Sequence, residues 1–129
     1  MIYCIWIILR KECLQEAFEK LKSNPEAESI STIEVYSYPP QRGMIIKDDG
    51  FMVMNQPEYY SARSQDLPKL YHDSCQFFFF KTESLLRDKK LYTQHSLPYI
   101  VKESESQDID TLEDWKLMEM KYDLMHSKE

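Results

Sequence analysis

The order of elements in this 129-residue chain predicts an α/β fold with a mostly parallel sheet and an inserted β-hairpin. Three observations lead there. A strand, an amphipathic helix and a second strand follow one another at the start, which is the βαβ signature. An Asp-Gly turn separates two short apolar runs near the middle. Four consecutive phenylalanines, Phe77 to Phe80, and a later apolar run from Leu97 to Val101 supply further strands. The length suits a single domain over residues 1–129, and 43% hydrophobic with 29% charged residues suits a folded core.

Taken in order, Ile2 to Leu9 is β-branched and aromatic on both faces, as in a strand covered on both sides. Arg10 and Lys11 end the apolar opening at about half a membrane span, and no basic leader or small-residue cleavage site accompanies it. A buried strand is therefore expected, not a membrane or targeting segment. Lys11 to Lys22 places Leu14, Ala17, Phe18 and Leu21 at helical spacing and stops at Ser23-Asn24-Pro25. Ser29 to Tyr36 alternates through Ile33 and Val35 and is halted by Pro39-Pro40.

Met44 to Lys47 and Phe51 to Met54 flank Asp48-Asp49-Gly50, a hairpin whose turn needs the positive φ that glycine tolerates. Asn55 to Lys69 is polar, holds Pro57 and Pro68, and reads as a long loop of the kind that often carries function. Cys75 to Phe80 is expected as a fully buried central strand. Thr82 is expected to cap a short helical piece through Leu86. Leu97 to Val101 forms another strand. Thr111-Leu112-Glu113-Asp114 then reads as a capping box ahead of a helix with Trp115, Met118, Tyr122 and Met125 on one face.

Composition excludes several functions. Only two glycines are present, Gly43 and Gly50, so neither a dinucleotide fingerprint nor a Walker loop can exist in this chain. A net charge of −6 without a basic patch disfavours nucleic acid. Cys4, Cys13 and Cys75 are odd in number and widely spaced, which suits reduced thiols in a cytoplasmic protein and disfavours zinc. Tyr71-His72-Asp73 is no catalytic dyad, because neighbours in a strand point to opposite faces and Cys75 has no basic surroundings to activate it. His95 and His126 have no ligand spacing with anything nearby.

Three segments carry chemistry. In Gln107-Asp108-Ile109-Asp110-Thr111 an extended backbone would present Asp108 and Asp110 on one face, between a strand and a helix start. Such a pair suits Mg²⁺, which takes one or two carboxylates and completes its shell with water and phosphate; it also suits plain stabilisation of a helix N-terminus. Arg63, in Arg63-Ser64-Gln65-Asp66-Leu67-Pro68, could grip a carboxylate or phosphate, or could pair at the surface with Glu58 or Asp66. Gln41-Arg42 offers a second arginine just after a turn.

Together, Arg63–Pro68, Tyr71-His72-Asp73 leading into Gln76-Phe77, and Gln107–Thr111 with Glu113-Asp114-Trp115 make the chain resemble the sugar cytidylyltransferases. The likeness is greatest to the pseudaminic acid branch and next to the acylneuraminate (sialic acid) enzymes, and it runs from about Arg10 to about Tyr122. It implies a partial nucleotide-diphosphosugar transferase fold, Rossmann-like, and a homodimer. It implies joining CTP to an acidic nine-carbon 2-keto sugar, with Mg²⁺ neutralising charge on the phosphates. By matching position it implies Asp108 and Asp110 as metal ligands, with Arg63, Arg42, Gln76 and Phe78 contacting substrate.

The chain departs from that family in three places. A basic, glycine-containing loop that cradles the CTP phosphates has no counterpart here, and the family is longer by about 80 to 100 residues, the size of the missing βαβ units. The Pro-Thr-Ala-Pro-like turn is replaced by Ile5-Trp6-Ile7-Ile8-Leu9, and a small Ala-Gly pair after His-Asp is replaced by Ser74-Cys75. A C-terminal portion of such an enzyme is expected, inactive by itself or complemented by a separate nucleotide-binding half. Strands left without neighbours should expose apolar edges. The purified chain should therefore bind a hydrophobic dye or self-associate; a dye-negative, cooperatively unfolding monomer would contradict this.

Overall fold

The computed structural model describes residues 8–127, so all of the expected strand Ile2–Leu9 except its last two residues lies outside the described residues. The chain divides into two compact units. One takes in the residues up to Glu34 together with those from Asp73 onward; the other is Val35–His72.

In the first unit, α1 (Lys11–Lys22) has the bounds its periodicity predicts. Its buried face is Cys13, Ala17 and Leu21, while Phe18 is half exposed and meets Phe79 edge-on at 5.8 Å. The apolar stripe is thus centred on small residues, and Ala17, with no exposure, allows the helix to approach the sheet closely. β1 (Ser29–Val35) follows and is the middle strand of a three-stranded sheet, ordered β4 (Tyr71–Phe80), β1, β5 (Ser96–Ile100).

The sheet is α/β in class but mixed in direction. β1 and β5 are parallel, with Ser29 opposite Ser96 and Ile33 opposite Ile100. β4 runs against β1, since ascending β4 from Gln76 to Lys81 descends β1 from Thr32 to Glu28 through hydrogen bonds of 3.1 and 2.8 Å. Parallel pairing is therefore confined to one ladder among the described residues.

Two expectations are corrected here. Cys75–Phe80 is not fully buried: it belongs to the ten-residue β4, which is the outer strand among the described residues, and of its four phenylalanines only Phe77 is buried. Among the described residues the middle strand is β1, and it is the more buried one although its sequence is more polar. Ser29, Ser31, Thr32 and Glu34 are buried there; the Ser29 hydroxyl pairs with Ser96 at 2.7 Å, and Thr32 Oγ1 accepts from the Gln76 amide at 3.1 Å. Thr82 is not a cap either. α2 (Thr82–Asp88) has Lys81 in that position without any side-chain cap, and it closes through Lys89 at φ 51°.

A core of Cys13, Ala17, Leu21, Ala27, Ile30 and Phe77 lies between α1 and the sheet, with Leu9, Leu14, Phe79, Leu97 and Tyr99 around it. α3 (Leu112–His126) starts at the expected capping box. The Thr111 hydroxyl accepts from the Asp114 amide at 3.2 Å, and the Asp114 carboxylate accepts from the Thr111 amide at 2.7 Å. That pattern of hydrogen bonds holds the Asp114 carboxyl below its ordinary range. Of the expected face of α3 only Met118 is buried, while Trp115 and Tyr122 are exposed.

In the second unit the expected hairpin is present: β2 (Met44–Ile46) and β3 (Met52–Met54) pair antiparallel in the register Met44 to Met54 and Ile46 to Met52. Gly50 has φ 83° with open space around it, so conformation and not crowding requires glycine there. The long loop is organised by 3₁₀ turns at Pro57–Tyr59 and Ser64–Asp66. Ile46 and Phe51 are about three-quarters exposed, at 75% and 72%.

Within β4 the backbone turns at Cys75, whose φ of 53° puts a residue with a Cβ in the left-handed region. This is the second position of the Ser74-Cys75 pair, where the family resemblance leads one to expect glycine. An L-residue there costs about 1–2 kcal/mol. Cys75→Gly should therefore raise the stability of the chain by about 1 kcal/mol, measured by urea denaturation; an unchanged or lowered midpoint would show that the thiol's contacts outweigh the backbone strain.

Candidate functional site

β5 ends at Ile100, and the Val101 amide still bonds to the Ile33 carbonyl at 2.9 Å, extending the parallel ladder by one step. The chain then passes through a 3₁₀ turn, Glu103–Glu105, and an irregular stretch to α3. Asp108 and Asp110 lie on that stretch, beyond the carboxyl end of a parallel strand, where ligands of open α/β sheets gather.

Both side chains are exposed, and neither forms an ion pair among the described residues. Asp108 uses Oδ1 to accept from the Ile109 amide at 3.1 Å, and the Asp110 amide donates to Asp114 Oδ2 at 3.2 Å. No group of three or more potential metal-ligating side chains exists among the described residues. Two open carboxylates nonetheless match the donor set of Mg²⁺, which binds through one or two carboxylates and fills its remaining positions with water and phosphate oxygens.

The stretch is tied to its neighbours. Gln76 Nε2 donates to the Glu105 carbonyl, and the Gln76 amide donates to Thr32 Oγ1. Glu105 pairs with Arg10 at 3.3 Å and Lys102 at 3.9 Å, and Lys121 Nζ donates to the Ser106 carbonyl at 2.6 Å. Phe78 shares the face of β4 that Gln76 occupies, and packs edge-on against Tyr92 at 5.6 Å. Gln76 and Phe78 are thus in the same unit as the two aspartates.

Arg42 and Arg63 belong to the other unit. Arg63 Nε bonds Asp66 Oδ2 at 2.7 Å, the surface pairing that the sequence left open as one alternative, with both side chains largely exposed. Arg42 Nη1 donates to the Ala62 carbonyl at 2.9 Å, so the two arginines are brought close along the chain around residue 62. Beside them Val35, Ser64, Gln65, Pro68 and Lys69 line a cleft of about 310 Å³. Gln41 is buried; its Nε2 bonds the Pro68 carbonyl at 3.1 Å, and its Oε1 has no hydrogen-bond partner among the described residues.

A larger cleft of about 580 Å³ sits at the opposite, amino end of the parallel strands, and no sequence motif pointed to it. Arg87 bridges Glu28 at 2.7 Å and Asp88 at 2.6 Å, and the Glu28 amide bonds the His95 carbonyl at 3.0 Å. Hydrogen bonds from Arg87 hold both carboxyls below their ordinary range, with Thr93 assisting at Glu28. Arg87 is itself raised by the same bonds. The single guanidinium is shared by two carboxylates, which makes this a structural staple for the start of β1. Sequence reading missed it because its partners lie 59 positions apart.

No protein-family profile matches the chain. Among curated proteins it is similar to a pseudaminic acid cytidylyltransferase of Campylobacter jejuni, 29% identical over 125 residues, covering 97% of this chain and 53% of that protein. A Helicobacter pylori protein named pseudaminic acid cytidylyltransferase and UDP-2,4-diacetamido-2,4,6-trideoxy-beta-L-altropyranose hydrolase is 27% identical over 84% of the chain and 20% of its own length. An N-acylneuraminate cytidylyltransferase of Streptococcus agalactiae is 28% identical over 79% of the chain and 24% of its own length. The chain spans about half the length of the Campylobacter proteins it matches. These are the two branches that its motifs resemble. Among the described residues no helix is long and apolar enough to cross a membrane.

The staple has a pH signature. A carboxyl whose folded pKa lies below its unfolded value stabilises the fold above the unfolded pKa and loses that contribution as pH falls through the folded one. Arg87→Met should therefore lower the melting temperature most near neutral pH, with the gap from the parent closing below about pH 4. A gap constant from neutral to acid pH, followed by thermal melts, would assign the loss to packing of the arginine stem.

Proposed function

We propose that this chain forms the sugar- and metal-handling portion of a cytidylyltransferase that joins CTP to an acidic nine-carbon 2-keto sugar of the pseudaminic acid type. The products are the CMP-sugar and pyrophosphate, and the setting is the cytoplasm. The observation that carries the proposal is the similarity to pseudaminic acid cytidylyltransferases along 97% of the chain, which contains all three motifs. The position of Asp108 and Asp110 beyond the carboxyl end of β5 supports it.

In this reading Asp108 and Asp110 hold Mg²⁺, which would supply charge neutralisation on the triphosphate. Arg63, exchanging its exposed partner Asp66 for substrate, binds a carboxylate or phosphate oxygen, and Arg42 adds a second cation in the same unit. The surface pair costs little to break, so such an exchange is cheap. Phe78 and Tyr92 offer an aromatic wall to the sugar. The exposed apolar hairpin around Ile46 and Phe51 supports a homodimer, because a two-stranded hairpin alone is marginal in water.

A second reading is favoured by the glycine count. Here the chain is an assembly module that acts only with a separate nucleotide-binding half. Positioning of the triphosphate supplies much of nucleotidyl transfer, and no loop able to cradle it is present in this sequence.

The test is calorimetric titration with CTP and CMP-sugar in Mg²⁺, alongside an assay of CMP-sugar formation. The chain by itself should form no product. It should bind nucleotide or CMP-sugar in a Mg²⁺-dependent way, and Asp108→Ala with Asp110→Ala should abolish that binding with the fold intact. Activity appearing only on mixing with a nucleotide-binding half favours the module reading. A folded chain that binds neither ligand and gains nothing on mixing sinks both.

A further inference from the structure

The stretch carrying Asp108 and Asp110 has no regular secondary structure, yet it is anchored on both sides by side chains from elsewhere. Upstream, β4 reaches it through Gln76 Nε2 on the Glu105 carbonyl, and α3 through Lys121 Nζ on the Ser106 carbonyl at 2.6 Å. Ser106 is itself buried. Downstream, Asp114 Oδ2 collects the Asp110 amide at 3.2 Å, the Thr111 amide at 2.7 Å and the Thr111 hydroxyl at 2.6 Å. Between the Ser106 carbonyl and the Asp110 amide only Gln107, Asp108 and Ile109 intervene, and Gln107 Nε2 bonds the Asp108 carbonyl at 2.9 Å.

Lys121 is informative. In a chain with 22 acidic and 16 basic residues, its ammonium is spent on a neutral carbonyl 15 positions earlier. That choice contributes placement of the backbone and not charge pairing. Gln76 does the same from the sheet, and its own amide is fixed by the buried Thr32 hydroxyl, so this anchor rests on the centre of the first unit.

We propose that Gln76 and Lys121 are positioning residues: from β4 and α3 they fix the backbone at Glu105 and Ser106, and so hold Asp108 and Asp110 in one arrangement toward a divalent cation. This rests on the metal reading above. Gln76 then acts through the loop, with its side-chain amide nitrogen already committed. Without the anchors, the cost of ordering the loop would fall on the binding step, as it does when partners behind metal ligands are removed.

The test uses the whole chain with Mn²⁺ as probe. Lys121→Met and Gln76→Leu are each compared with the parent for cooperative unfolding, for amide exchange at Ile109 to Thr111, and for Mn²⁺ affinity by paramagnetic broadening. Expected are intact folding, exchange faster by about tenfold or more, and Mn²⁺ affinity lowered by about 10-fold. Folded variants with unchanged exchange and unchanged affinity would overturn the proposal.

Asp108→Asn with Asp110→Asn separates the two readings. It should lose Mn²⁺ while leaving amide protection as in the parent. A parent that does not bind Mn²⁺, with exchange still accelerated in Lys121→Met, removes the metal reading and keeps the two anchors as supports of the loop. Should either single variant fail to fold, Lys121→Gln, which keeps a donor on a shorter stem, gives the same comparison.

Discussion

The buried hydroxyl of Thr32 sets the arrangement on which the first unit depends. It accepts from two successive amides of β4, Gln76 at 3.1 Å and Phe77 at 3.4 Å, directly after the backbone has turned at Cys75. A one-residue shift in the phase of a strand sends every side chain to the opposite face. Thr32, with no exposure to solvent, locks that phase. Phe77 consequently enters the core under α1, while Gln76 and Phe78 face the other way, toward Glu105 and Tyr92.

The same constraint links core to candidate site. Gln76, directly after the left-handed residue Cys75, reaches the loop of Asp108 and Asp110 through the Glu105 carbonyl. The loop's second anchor, Lys121, comes from a helix whose start is defined by the Thr111–Asp114 box. Polar contacts here fix backbone and leave the two carboxylates open, an arrangement suited to receiving a cation. At the other end of the sheet the logic is reversed. Arg87 is paired with both Glu28 and Asp88 there, so its charge is committed within the fold.

Much of the chain was legible because its signals are short-ranged. The bounds of α1, the hairpin with Gly50 at positive φ, the capping box and the pairing of Arg63 with Asp66 all involve residues within a few positions of one another. Reading Cys75–Phe80 as fully buried failed because an apolar run does not by itself supply cover on both faces. Here aromatic neighbours, Phe18 and Tyr99 on one face and Tyr92 on the other, cover the strand only in part. The polar strand Ser29–Val35 was underestimated for the converse reason. Serine and threonine are buried without penalty when a neighbouring strand supplies hydrogen bonds, as Ser96 does for Ser29.

By itself the amino-acid sequence determined the identity and limits of most elements, the absence of a glycine-rich phosphate loop, and the resemblance to sugar cytidylyltransferases, since each is written in local spacing or composition. Tertiary structure alone decided that β4 runs against β1, that Cys75 takes a left-handed conformation within it, and that Gln76 and Lys121 anchor the acidic loop. Those features depend on hydrogen bonds between residues such as Thr32 and Gln76, 44 positions apart. Chain spacing does not encode such partners; only the folded backbone, with its buried donors and acceptors all seeking a mate, selects them.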